Sequence, residues 1–356
     1  MMMERDKIKR FALFTFIGST AAPGILATLN LSISLAIFSL VIASSVVLMT
    51  YFSVKEEWTE QGLYSYTKRL GVAPSRLFLI TWLISYYLYV VYTVIYIPYF
   101  VLNLDGISPL VLSIFISISI FLLEVFTNPI YAFPVIYFAQ IAFSLPLSLK
   151  TSIEHVSPTI PSLFINILSS SLLLVCITLS TFVRGDRSKD SSFILLAFLI
   201  SSIILIYGTY LVAPPYVLLA SVFGNYGLVL AELTAINNLV RPFISRKSLF
   251  LLNFAIIPLS LIGNINYSLF YKSLSIPSDV FLFFSLFIYA VSTLVILKGV
   301  KKIVSILSAF LFAFGEYYVI TGTSGYLFYE AIASFISGII ISLVLFLAPP
   351  KRKIPG

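Results

Sequence analysis

Apolar residues run along this chain in blocks far longer than a soluble core helix uses. Between Phe11 and Val54 there are 44 residues without a charge, and a helix needs about 20 apolar residues to cross a hydrocarbon layer about 30 Å thick. Two spans in tandem are predicted there. A window of about 19 residues, cut at charges, prolines and polar clusters, predicts segments near 11–30, 32–54, 74–102, 108–127, 130–149 and 160–183. The second six lie near 192–212, 216–240, 248–269, 279–297, 303–321 and 328–348. The apolar run beginning at Phe11 continues into a second span instead of ending at a small-residue cleavage site, so the N-terminus is expected to be retained. The longest polar connection, Lys55 to Arg76, mixes Trp58, Leu63, Tyr64, Tyr66 and Leu70 with charges. It reads as an amphipathic interfacial helix near 57–70, apolar side toward membrane or bundle, with an ordered loop as the alternative.

Charge placement tests this division independently, because cytoplasmic loops of membrane proteins carry an excess of Lys and Arg. With twelve spans, 20 of the 22 basic residues fall on one side. They precede segment 1 (Arg5 to Arg10) and follow segments 2, 6, 8, 10 and 12; Lys150 and Lys272 are the exceptions. Both termini are therefore expected in the cytoplasm, and the net charge of +8 reports topology, with no nucleic-acid partner implied. Composition agrees: 60% of the 356 residues are apolar and 10% charged, against about 25% charged in soluble domains. Cys176 is the single cysteine and His155 the single histidine, so no disulfide and no Cys/His metal site are expected.

Nothing in the chain supplies a nucleophile with its base or a phosphate-cradling glycine loop, so no enzyme is predicted. Interrupted helices are the more informative feature, since irregular backbone at membrane depth survives only where protein or a cavity encloses it. Segment 1 carries Gly18, Ser19, Thr20, Ala21, Ala22, Pro23 and Gly24 in its middle. The proline cannot continue the hydrogen-bond ladder, and bare N–H groups there suit an anionic substrate group; a close approach of a neighbouring helix on small residues is the competing reading. Segment 6 carries Ser169, Ser170 and Ser171 after Asn166, hydroxyls that either cap a break or bond back to their own helix. Segments 1 and 6 begin corresponding five-helix halves, and five being odd, the second half is inverted, as in many secondary transporters. Intramembrane acids are functional candidates by default. Glu232, with Thr234, Asn237 and Asn238 nearby, is the best placed; Glu124 and Glu330 lie near span ends, and Glu316 reads as an outer-face residue as much as a buried one.

Three stretches resemble the amino acid, polyamine and organocation transporter superfamily, the amino acid permeases of the leucine-transporter fold. Ile17 to Leu26 (IGSTAAPGIL) is similar to the family's unwound first helix, Gly62 to Gly71 (GLYSYTKRLG) to its interfacial segment, and Val183 to Asp190 (VRGDRSKD) to the loop after helix 6. Ala22 and Pro23 depart from the family's pattern, as does the serine triplet. The resemblance implies substrate binding by Gly18, Ser19, Thr20, Ala21, Ala22 and Gly24, with Ser169, Ser170 and Ser171 opposite and Tyr89 or Tyr92 closing the site. Glu232, Thr234 and Gln140 are the ion-coupling candidates, Gln140 standing where proton-coupled relatives often place a lysine.

The resulting expectation is an all-α integral membrane protein of about twelve transmembrane helices: a first repeat over 1–150, an inverted repeat over 151–300, and two further helices with a basic tail over 301–356. Its expected function is alternating-access transport of an amino acid or related amine, coupled to H+ or Na+, with no cofactor, in a prokaryotic plasma membrane. A channel, a lipid-handling protein and a polytopic enzyme such as a lipid-linked glycosyltransferase are the alternatives. Partners are the substrate and the lipid bilayer; oligomeric state is not readable.

Overall fold

The computed structural model describes residues 2–21, 33–145, 148–149, 175–209, 211–212 and 218–347. Inside a bilayer each backbone polar group must be satisfied within its own segment, and the described chain is accordingly a helical bundle. Its order is α1 (Met2–Ala21), α2 (Ile33–Glu56), α3 (Leu63–Thr67), α4 (Val72–Tyr96), α5 (Ser108–Phe126) and α6 (Phe133–Ser144). After a 3₁₀ run at Cys176–Phe182 come α7 (Ser192–Thr209), α8 (Leu218–Val240), α9 (Arg246–Phe254), α10 (Ile256–Gly263), α11 (Tyr267–Ile296), α12 (Lys301–Gly322) and α13 (Tyr326–Leu347). Extended pairing among the described residues is confined to two antiparallel positions, Ser148 with Val212 and Leu149 with Leu211.

Eight spans in this set are long and apolar enough to cross a membrane, α9 and α10 together making one of them, and two shorter apolar helices occupy the places of segments 5 and 7. Segments 1 and 6 run into residues outside the described set. The chain is a polytopic helical membrane protein. Large apolar side chains such as Phe115, Phe126, Val135 and Phe310 are exposed on its outside, where lipid is the natural solvent, while α8 is buried on nearly every side.

Three boundaries differ from expectation, each for a local reason. Segment 9 is two helices, α9 and α10, interrupted at Ala255; Pro258 lacks an N–H and crowds the carbonyl four residues earlier. Segment 10 begins not near 279 but at Tyr267, because α11 runs straight through Pro277, the side chain of Asn266 accepting from the N–H of Leu269 at its start. The interfacial element is one short helix, and its residues Leu63, Tyr64, Ser65, Tyr66 and Thr67 are all buried. Instead of lying on a surface it is inserted into the bundle, with Tyr66 5.9 Å from Tyr289 of α11.

Five of the six basic clusters meet at one end, as the charge alternation requires. Arg10 pairs with Asp190 at 2.6 Å, Arg187 donates to the Glu56 carbonyl at 3.0 Å, and Lys301 lies 3.7 Å from Glu56. Tyr64 meets Phe243, from the loop after α8, at 5.7 Å. The sixth cluster, at 351–353, is outside the described residues. The opposite end is held by rings: Tyr99 stacks on Tyr267 at 3.9 Å and donates to Asn264 at 2.9 Å.

Candidate functional site

Helix α4 presents Trp82, Tyr86, Tyr89 and Thr93 at spacings of four, three and four residues, one face of a helix, toward α8 and the 3₁₀ run. Trp82 is sandwiched, 4.5 Å from Tyr86 on one side and 4.5 Å from Phe182 on the other. Phe182 in turn packs where Gly62 has no side chain: a Cβ there would come within 2.4 Å of the Phe182 ring, and Gly62 holds φ at +52°. Glycine is required on both counts. The GLYSYTKRLG stretch therefore acts as a wedge beneath the site.

Glu232 of α8 is 0% exposed, and among the described residues neither carboxylate oxygen has a hydrogen-bond partner. Tyr86, Tyr89, Tyr92 and Cys176 are all within its electrostatic reach. The hydroxyls of Tyr86 and Thr178 face each other without reaching hydrogen-bond geometry. Trp82 Nε1, Ser180 Oγ and, on α1, Ser19 Oγ are likewise buried and unpartnered. Buried polar groups in native proteins are normally bonded, so a concentration of unbonded ones calls for an explanation. The segment bearing Thr178 and Ser180 is seven residues of 3₁₀ helix, longer than the usual three or four, a form that marks hinges and functional sites.

The expected site residues divide into three groups. Ala22, Gly24 and Ser169, Ser170 and Ser171 lie outside the described residues, so neither the expected unwinding in segment 1 nor the serine triplet is placed. Gly18, Ser19, Thr20 and Ala21 form the last turn of α1, regular helix up to Ala21. There Gly18 packs against the Tyr137 ring, which a Cβ would approach to 2.5 Å, and Ser19 adjoins Gly227 of α8; Thr20 bonds back to the Ile17 carbonyl at 2.7 Å. Tyr89 and Tyr92 reach the neighbourhood of Glu232, their rings 4.9 Å apart.

The polar face expected around Glu232 is split. Thr234 donates to Glu124 of α5, Asn237 donates to the same carboxylate at 2.7 Å, and Asn237 and Asn253 of α9 exchange bonds at 3.1 Å. Asn238 donates to the Phe182 carbonyl at 3.0 Å. Gln140 is buried in α6. Glu124, near the end of α5 as expected and half-buried, is thus the centre of a clasp joining α5, α8 and α9. Sequence reasoning also passed over Trp82, Tyr86, Thr178 and Ser180; the i, i+4, i+7 aromatic stripe on α4 was the available signal.

No protein-family model matches the chain, and no curated protein matches it in sequence. Solved structures do. A manganese transporter of Eremococcus coleocola, in complex with an aromatic bis-isothiourea substituted compound, superposes with a TM-score of 0.55 at 15% identity, covering 95% of this chain and 92% of that one. Two single-residue variants of the same transporter give 0.57 at 14% and 0.57 at 13% identity, with the same coverage. The chain shares their fold. At such identity the likeness concerns architecture over nearly the whole length, and it neither carries over a substrate nor places the chain in the amino acid permease family. Among the described residues no group of three or more His, Cys, Asp or Glu side chains is arranged to hold a metal ion.

Proposed function

We propose that the chain is a secondary transporter working by alternating access, moving an amino acid or related amine with a proton or sodium gradient, its basic end in the cytoplasm. The observation that carries this reading is Glu232: a carboxylate fully buried in the most enclosed helix, without a hydrogen bond, against an aromatic wall and a 3₁₀ segment. An ionised carboxylate stranded in protein costs several kcal/mol unless a counter-charge arrives, and a substrate ammonium group is such a counter-charge. The face of Trp82 or Tyr86 adds cation–π attraction. Orphaned hydroxyls on both sides supply further bonds once the substrate enters, the economy by which a site built for a polar ligand rejects analogues lacking its groups.

A second reading, transport of a divalent metal ion, is favoured by the identity of the structural neighbours. Glu232 and Cys176 would be two of its ligands. Uptake into proteoliposomes separates the two. Saturable, gradient-dependent accumulation of a labelled amino acid or amine, unaffected by manganese, supports the first; accumulation of radioactive manganese alone replaces it with the second. No accumulation of either across a broad panel rejects carrier function.

A further inference from the structure

The basic connections at the charged end of the bundle are tied down, with one exception. Arg10 pairs with Asp190 at 2.6 Å, Arg69 with Glu57 at 3.0 Å and Lys301 with Glu56 at 3.7 Å, and Arg187 donates to the Glu56 carbonyl at 3.0 Å. After α8, Arg241, Arg246 and Lys247 are all exposed, and among the described residues none of the three takes part in an ion pair. No acid occurs in the sequence from Leu233 to Ser278. The Glu124 carboxylate, on which Arg241 acts electrostatically, is already held by Thr234 and Asn237.

The backbone gathers these cations. The Arg241 N–H bonds the Asn237 carbonyl at 3.0 Å, those of Phe243 and Ile244 both turn back to Val240, and Ser245 opens α9 by accepting from the Ser248 N–H at 3.2 Å. Helix α9 then returns beside α8, where Asn253 and Asn237 exchange bonds at 3.1 Å. That pairing sets the register: at 1.5 Å per residue Arg246, Lys247 and Arg241 lie about 10 Å, about 9 Å and about 6 Å from it toward the basic end. At the level of the pairing itself the surface is aromatic. Lys247, Leu251 and Phe254 recur at four and three residues, one stripe of α9, and Leu251, Phe254 and the neighbouring Phe250 are exposed. Phe121 of α5 packs under them, its ring 5.4 Å from Phe250 and 5.9 Å from Phe254, and reaches the exposed Phe126 at 6.2 Å.

We infer that this surface binds an anionic phospholipid of the leaflet at the basic end, its phosphate among Arg241, Arg246 and Lys247 and an acyl chain along Phe250, Leu251 and Phe254. Cations just outside a membrane-crossing helix attract negative headgroups, and three of them with no acid to neutralise them complement a headgroup of net negative charge. A free phosphate would use the cations and leave the rings idle; a lipid uses both, in the order in which headgroup and chain follow one another into a bilayer. The inference does not depend on what Glu232 binds.

Native mass spectrometry of the full chain in detergent, titrated with palmitoyl-oleoyl phosphatidylglycerol and with the matching phosphatidylcholine, tests it. Phosphatidylglycerol should give a first bound lipid whose affinity phosphatidylcholine does not match. Each cation near an anionic headgroup is worth about fivefold, so R241Q/R246Q/K247Q should weaken that first lipid by about 100-fold. R76Q/K298Q/K302Q, which removes three exposed cations from the same end, should leave it in place. R241K/R246K keeps the charge and should keep the lipid, which separates lost charge from a disturbed loop, and F250A/F254A, which leaves the cations, should weaken it. An unchanged first lipid in R241Q/R246Q/K247Q or in F250A/F254A overturns the proposal. So does an equal loss in R76Q/K298Q/K302Q, since the attraction would then belong to the whole basic end, and so does equal affinity for the two lipids or displacement of phosphatidylglycerol by inorganic phosphate.

Discussion

Glu232 belongs to α8, two and five residues from Thr234 and Asn237, Glu124 of α5 bonds those same two residues, and the bundle treats the two acids in opposite ways. Glu124 receives the Thr234 hydroxyl and the Asn237 amide, which is itself tied to Asn253. Among the described residues Glu232 receives nothing, although Tyr86 is within its electrostatic reach. A half-satisfied buried network is worse for stability than an apolar core, so a fold that completes one and leaves the other open is keeping the second for something that is not yet bound. Under the function proposed above, the contrast puts stability on the Glu124 side of α8 and the substrate on the Glu232 side.

The sharpest way to break that assignment is to neutralise each acid without changing its shape. Glu232→Gln removes a charge-assisted contact to substrate worth about 2–3 kcal/mol, and at 1.4 kcal/mol per decade uptake should fall by about 30- to 100-fold. Its melting temperature in detergent should hold or rise, because the amide keeps the shape of the carboxyl and no hydrogen bond of Glu232 among the described residues is lost. If E232Q transports normally but melts lower, Glu232 is a structural residue. Next in size is Glu124→Ala, which strands Thr234 and Asn237 and should cost about 2 kcal/mol of stability. Combined with Asn237→Ala it should cost less than the sum of the two single changes, the mark of shared contact. Additive losses would show that the clasp is not one unit.

A smaller effect separates packing from binding at the end of α1. Gly18→Val forces a side chain into the Tyr137 ring, 2.5 Å from the position a Cβ would take, and overpacking of this kind costs about 1–3 kcal/mol. Ser19→Ala removes an unpartnered hydroxyl and should leave the melting temperature unchanged while weakening uptake. A destabilised S19A would mean that its hydroxyl is already engaged in the resting protein.

These contrasts also show what a single sequence can carry. Hydropathy and charge alternation placed the helices well, because the length of a bilayer span and the positioning of Lys and Arg are imposed from outside the fold. Hence five basic clusters meet at one end. Segment boundaries failed at Pro258 and Pro277, one of which ends a helix while the other is absorbed by it, a choice decided by neighbours. The interfacial stretch was visible from its residues but not its insertion, which depends on Phe182 filling the space over Gly62. At the site, Glu232, Tyr89 and Tyr92 were legible as polar groups at membrane depth. Their partners were not: Thr234 and Asn237 stand about 160° and about 140° round α8 from Glu232, and that Glu124 of α5 meets them there is decided by helix packing, which a sequence without its neighbours does not specify.

The smallest expected effect extends the comparison to an acid in water. Asp186, exposed in the loop after the 3₁₀ run, accepts from the hydroxyl of Ser188 at 2.6 Å and from its N–H at 2.8 Å. These bonds, with a further one from the Lys189 N–H, hold its carboxyl below the ordinary aspartate range. A carboxyl whose folded value is depressed stabilises the fold fully above the unfolded value, about 3.9, and loses that contribution as pH falls through the folded one. Ser188→Ala should therefore lower the melting temperature slightly near neutral pH, by less than any variant above, and the deficit should shrink as pH falls below the ordinary aspartate value and through the folded one. A deficit that persists undiminished in acid would mean that the hydroxyl stabilises the loop by some route other than the charged carboxylate. Glu124 would then be the sole acid in this comparison whose bonds, through their charge, hold the fold together.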